Sequence, residues 1–131
     1  MIRYIDTSAA LKLLIEERES ASLAADLEQS ARRGDRLVSS LLLFTELHCA
    51  GSRRGSFDPA AVNAVLDGLD LIDVDRSDLL RAGSSSWGLR SGDAIHLAVA
   101  LRLEAQELVA YDEDLLAASQ RAGLAVVRPG H

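Results

Sequence analysis

Four acids in this chain stand where a carboxylate has more to do than face water. Asp6 directly follows Ile2, Tyr4 and Ile5, whose β-branched and aromatic side chains predict a short buried strand. Glu46 falls inside the apolar stretch Leu41 to Ala50, Asp93 opens the apolar run Ala94 to Leu103, and Asp112 follows Leu108-Val109-Ala110-Tyr111. Carboxylates gathered in one place repel, and must either take up protons or share a cation. With oxygen donors alone the natural cation is Mg²⁺ or Mn²⁺. Such a centre activates water for in-line attack on a phosphodiester and stabilises the leaving oxygen. Asp6, Glu46, Asp93 and Asp112 are therefore the candidate catalytic and metal-ligating residues.

Each acid also has a purely structural explanation. Asp6 or Ser8 could cap a helix over Ala9 to Glu16. Asp93, two residues after Ser91, would favour a helix macrodipole by about 0.3 to 1 kcal/mol. Asp112 could cap the helix that follows it, and Asp114 competes with it for the role of fourth acid. Glu46 amid Leu43, Phe44 and Leu47 is harder to explain so, because a buried carboxylate needs a partner. His96, three residues after Asp93, shares its helical face and is expected to be a packed, hydrogen-bonded histidine. His48 lies about 200° around the helix from Glu46, on another face. Thr7 and Ser8 could orient Asp6 or hold a water, capping being the commoner use of such a serine. No Ser-His-Asp order, Cys-His pair, zinc spacing, G-x-G-x-x-G or P-loop pattern occurs.

The elements that must carry these acids alternate. Strands are predicted at Ile2 to Ile5, Leu37 to Ser40, Leu71 to Val74, Leu108 to Tyr111 and Leu124 to Val127. Helices are predicted at Ala9 to Ile15, Ser20 to Arg33, Leu41 to Ala50, Pro59 to Leu69, Leu79 to Ser85, Ala94 to Leu103 and Leu115 to Ala122. Gly51 to Gly55 reads as a turn, Asp58-Pro59 as an N-cap followed by proline at the first helical position, and Asp75 to Asp78 as a capping signal. Continuous apolar strands alternating with helices imply a parallel sheet covered on both faces. Right-handed crossovers then bring the carboxyl ends of the strands to one edge, where acids distant in sequence can meet.

At 131 residues, with 48% apolar and only 4% aromatic side chains, the chain is expected to be one domain, residues 1–131, with an aliphatic core. No apolar run is long enough to span a bilayer, Arg3 and Asp6 come too early for a signal-peptide core, and Cys49 stands alone; the expectation is a cytoplasmic protein. The net charge of −6 argues against a nucleic-acid partner unless bound cations reverse the local sign. Thirteen of the 14 basic residues are arginine, and Arg32-Arg33, Arg36, Arg53-Arg54 and Arg90 form local patches suited to phosphate or, equally, to plain solvation.

Asp6-Thr7-Ser8-Ala9, Ser40 with Glu46-Leu47 six residues on, Asp93-Ala94-Ile95-His96-Leu97-Ala98 and Tyr111-Asp112 together resemble the PIN-domain ribonucleases, and among them the VapC toxins of bacterial VapBC toxin-antitoxin pairs. The similarity runs from Ile2 to about Val127. It implies a three-layer α/β/α sandwich with a five-stranded parallel sheet, and a Mg²⁺- or Mn²⁺-dependent endoribonuclease site in which Asp6, Glu46, Asp93 and Asp112 match the family's acidic quartet. It also implies an RNA substrate, a VapB-type antitoxin partner and a homodimer. One departure is Ala110, where the family often has Thr or Ser two residues before the fourth acid. That departure and the acidic charge motivate an alternative, a PIN fold with weak chemistry acting through complex formation. Arg90 would be a phosphate contact. Aspartyl phosphotransfer by Asp6 lacks the second acid it would need in the same loop.

Overall fold

A computed structural model describes residues Met1–His131. Its sheet begins with β1 (Ile2–Ile5), where Tyr4 and Ile5 are fully buried, and continues with β2 (Arg36–Ser40), β3 (Asp70–Ile72), β4 (Glu107–Val109) and β5 (Ala125–Val127). All neighbours run parallel in the order β3-β2-β1-β4-β5, so β1 is central and the chain winds outward from it in both directions. The register sets Arg3 beside Glu107 and Ile5 beside Val109.

Seven helices cover the sheet: α1 (Thr7–Lys12), α2 (Ser20–Arg32), α3 (Leu42–Arg54), α4 (Pro59–Asp67), α5 (Arg76–Ser84), α6 (Ser91–Arg102) and α7 (Glu113–Arg121). Side chains alternate across a strand, and the core divides accordingly. Tyr4, Val38 and Leu108 pack with Leu97 and Val99 of α6 and Leu115 of α7. Ile5 and Val109 point the other way, onto Ala9 of α1 and Leu23 and Leu27 of α2. Leu43 and Leu47 of α3 close on Ala10, Val62 and Leu66. This is the three-layer α/β/α sandwich, with both faces of a parallel sheet covered.

Several boundaries differ from the sequence expectation. α1 starts two residues early, at Thr7, because Asp6 itself is the N-cap, and it stops at Lys12 rather than Ile15. α3 runs through the expected turn to Arg54. Gly51 is a helical residue packed so closely on the Phe57 ring that a Cβ there would lie 2.8 Å from a ring carbon, and the chain turns only at Gly55, whose φ of 65° suits glycine. β3 covers Asp70–Ile72 instead of Leu71 to Val74. β4 ends at Val109 because the Tyr111 N–H leaves the ladder and donates to Ser8 Oγ at 2.9 Å. The Asp58 cap and the Asp75–Asp78 capping box form as expected.

Candidate functional site

The carboxyl end of β1 delivers Asp6 into a hollow of about 320 Å³ at the edge of the sheet. Its other lining residues are Thr7, Ser8 and Leu11 of α1, Glu46 of α3, Arg90, Gly92 and Asp93 at the start of α6, and Asp112 at the start of α7. All four predicted acids thus share one cavity although 106 positions separate the first from the last. Asp112 lines it, whereas Asp114 is an exposed helix residue outside it. A larger hollow, about 610 Å³, lies elsewhere between α3, α5 and α6. It is lined mainly by Leu41, Leu42, Val74, Leu79 and Ile95 and gathers no such group of ionisable residues.

Each acid is held by its local fold. Asp6 is 1% exposed; its Oδ2 accepts from the Ser8 amide at 3.1 Å and the Ser8 hydroxyl at 2.8 Å, while Oδ1 is buried without a hydrogen-bond partner. Capping and site lining are therefore not alternatives here, since Asp6 caps α1 through Oδ2 and also lines the hollow. Ser8 orients Asp6, but Thr7 turns away from it and donates to Glu46 Oε1 at 2.7 Å. Asp112 caps α7, its Oδ1 accepting from the amides of Asp114 and Leu115. Arg90 is the N-cap residue of α6 in extended backbone, and it is the one cationic side chain lining the cavity.

The electrostatics separate the acids. Burial, then the charges of Asp6 and Asp112 and that of Glu46, push the Asp93 carboxyl up to about 6, with His96 opposing. Glu46 goes the other way. Burial would raise it, but hydrogen bonds from His96 and Thr7 outweigh that and hold it below the usual carboxylate range. His96 itself is fully buried, and its Nε2 donates to Glu46 Oε1 at 2.5 Å. It is a packed, hydrogen-bonded histidine, as its place on an apolar helix suggested, and it also touches the site. His48 is elsewhere, bonded to Asn63 and against Phe44.

Among the predicted arginine patches, Arg32, Arg33 and Arg36 are paired with Glu28, Asp35 and Asp70, while Arg53, Arg54 and Arg90 have no acidic partner within 4 Å. No three His, Cys, Asp or Glu side chains are drawn into a preformed metal cage. The four acids line the cavity walls instead, as like charges do. The donor set nevertheless fits a hard divalent cation. It is all oxygen, it contains a buried carboxylate oxygen with no other partner, and it holds one carboxyl reluctant to ionise beside its neighbours.

The chain is similar to known proteins over nearly its whole length. The PIN-domain profile matches residues 3–120. The chain is 37% identical to ribonuclease VapC46 of Mycobacterium tuberculosis over 129 residues, covering 96% of each protein. It is 34% identical to ribonuclease VapC47 of the same species, covering 97% of this chain and 96% of that one. Among solved structures, VapBC2 of Rickettsia felis bound to a promoter DNA fragment superposes with a TM-score of 0.73 at 17% identity, covering 97% of this chain and 98% of the other. VapC20 of Mycobacterium tuberculosis, a toxin that cleaves the sarcin-ricin loop, gives 0.72 at 19% identity, covering 97% and 99%.

Proposed function

Since this chain belongs to the PIN-domain family, alongside ribonucleases named VapC, we propose that it is a metal-dependent endoribonuclease and the toxin of a toxin-antitoxin pair. Asp6, Glu46, Asp93 and Asp112 would hold Mg²⁺ or Mn²⁺. The observation that carries this reading is the four acids lining one cavity with a single arginine among them. A bound divalent ion offsets the crowded negative charge, polarises a phosphodiester and activates water.

The chain's own residues prepare that chemistry. Ser8 fixes Asp6 so that one oxygen stays free of protein partners, and Thr7 fixes Glu46. Asp93 takes a proton most readily when no cation is present, so ion and proton compete there. Arg90 meets the phosphate of an RNA strand at the mouth of the cavity, where a guanidinium can contact two oxygens at once. The whole chain acts as one domain. Its partners are RNA, a VapB-type antitoxin and a second copy of itself, in the cytoplasm; no helix is long and apolar enough to cross a membrane.

The test is RNA cleavage by the purified chain in Mg²⁺ or Mn²⁺, beside Asp6→Asn and Asp93→Asn. Losing several kcal/mol of charge stabilisation lowers kcat/KM by about a thousandfold. Either variant cutting RNA like wild type would show the mechanism to be wrong.

A further inference from the structure

Asp6, Glu46 and Asp112 each accept two hydrogen bonds, but only Glu46 takes both from side chains of other elements, Thr7 of α1 and His96 of α6. Glu46 Oε1 receives these two hydrogen bonds, from Thr7 Oγ1 at 2.7 Å and from His96 Nε2 at 2.5 Å, and its Oε2 lies 3.1 Å from where a Cβ on Gly92 would be. Behind His96 the chain of contacts continues. His96 Nδ1 meets the Tyr4 hydroxyl at 2.6 Å, and that hydroxyl accepts from the Ser40 amide at 3.1 Å. The series runs from β2 through the central strand β1 and α6 to α3. Tyr4 and His96 are both fully buried.

This series is not needed to fill the core. Around His96, α6 is Ile95, Leu97, Ala98 and Val99, and an apolar side chain at 96 would pack there without two ring nitrogens to satisfy. The buried imidazole is satisfied because Tyr4 meets one nitrogen and Glu46, with Thr7 Oγ1 at 3.0 Å, the other. Nε2 faces a carboxylate, so it carries a hydrogen whether the ring is neutral or charged. A ligand whose rotamer is set in advance loses less freedom on binding and presents one chosen oxygen.

We infer that Tyr4 and His96 are positioning residues for Glu46: together with Thr7 they anchor Oε1 and leave Oε2 as the oxygen offered to the cavity. This rests on the reading of Glu46 as a ligand of a divalent cation. The roles are distinct from catalysis, since neither side chain lines the cavity.

The experiment titrates Mn²⁺ into the full-length protein without RNA, following the free ion by electron paramagnetic resonance, and measures kcat and KM for RNA in parallel. The proteins are wild type, Tyr4→Phe, His96→Leu and His96→Gln, then Tyr4→Phe and His96→Leu again in a Glu46→Ala background. His96→Leu is expected to weaken Mn²⁺ binding on the order of 10- to 100-fold, Tyr4→Phe by less, with kcat reduced and KM for RNA held. His96→Gln, whose amide donates from near the lost Nε2, recovers most of the affinity. In the Glu46→Ala background neither change alters affinity by more than about twofold. A folded His96→Leu that binds Mn²⁺ like wild type, or losses that recur in full without Glu46, overturns the positioning role. Should His96→Leu fail to melt cooperatively, Tyr4→Phe decides, and wild-type affinity in that variant is the overturning result. Wild type that neither binds Mn²⁺ nor cleaves RNA removes the nuclease reading and this role with it. Unaffected variants beside an active wild type remove only the role.

Discussion

The two ends of the sheet treat their carboxylates in opposite ways. At the amino ends of the strands Asp26, Glu107, Asp70 and Asp35 each have a cation. Arg3, 2% exposed, holds Asp26 and Glu107 at 2.8 Å each, Arg36 pairs with Asp70, and Asp35 takes the Met1 amine at 2.9 Å and Arg33 at 2.7 Å. The Ser30 hydroxyl and the Met1 amine hold Asp35 well below its usual range. At the carboxyl ends, Asp6, Asp93 and Asp112 pair with no lysine or arginine, Glu46 has only His96, and Asp93 is pushed up to about 6. One rim is electrostatically closed and the other is open. The open rim is where, on the proposed function, a divalent cation from solution would bind.

The largest expected difference between the rims is their response to that cation. At one hundred times its Kd, Mn²⁺ adds about 2.7 kcal/mol to wild-type stability, and urea unfolding of an Asp6→Asn, Asp93→Asn double variant should show none of this gain. An equal gain in the variant would put the ion elsewhere. At the closed rim, Arg3→Met keeps the packed stem and removes the charge. It should cost about 2 kcal/mol, less than the 3–5 typical of fully buried pairs, because the Asp26 and Glu107 side chains keep 29% and 27% exposure. Cleavage per folded molecule should stay unchanged; a fall would mean the two rims are coupled.

Gly92→Ala sharpens the comparison inside the open rim. The new methyl would crowd Glu46 Oε2 at 3.1 Å, and a loss of about tenfold in kcat/KM is expected, equivalent to about 1.4 kcal/mol. The melting temperature should hold or rise, since alanine suits a helix better than glycine. Wild-type kcat/KM in that variant would show that Glu46 has room to move.

The smallest effect is on pH. Asp93 has a folded-state value raised from its ordinary 3.8 to about 6, so between these values the folded state binds the extra proton and stability falls as pH rises. In chelator, Asp93→Asn should melt above wild type at pH 7 by about 2 °C, allowing for solvent screening. The margin should shrink as pH falls from 6 to 4. A margin constant with pH would mean that Asp93 ionises freely. Glu46, held low, contributes oppositely and is common to both proteins.

Much of this molecule was legible before its fold was known. Strand and helix periodicities, the Asp58-Pro59 start, the Asp75 capping box, the places of Asp6 and Asp112 after strands, of Asp93 at a helix start and of Glu46 within an apolar helix are local features, written within a few residues of one another. Boundaries were misjudged where a distant group intervened: Phe57 lets Gly51 stay helical, and Ser8 draws Tyr111 out of its ladder. The partners of the acids were not legible either. Asp112 and Asp114 look alike in sequence, and only one lines the cavity.

The amino-acid order by itself determined the alternating elements, the parallel sheet they imply and the crowding of acids toward one edge, because hydrophobic period, capping chemistry and crossover handedness act over short stretches of chain. Tertiary structure alone decided which carboxylates stay without a cation, that Asp112 shares a cavity with Asp6, and that Thr7 and His96 both reach Glu46. Those outcomes depend on ångström distances between residues 39 to 106 positions apart, and hydrogen bonds and ion pairs fall away too steeply with distance for sequence spacing to foretell them.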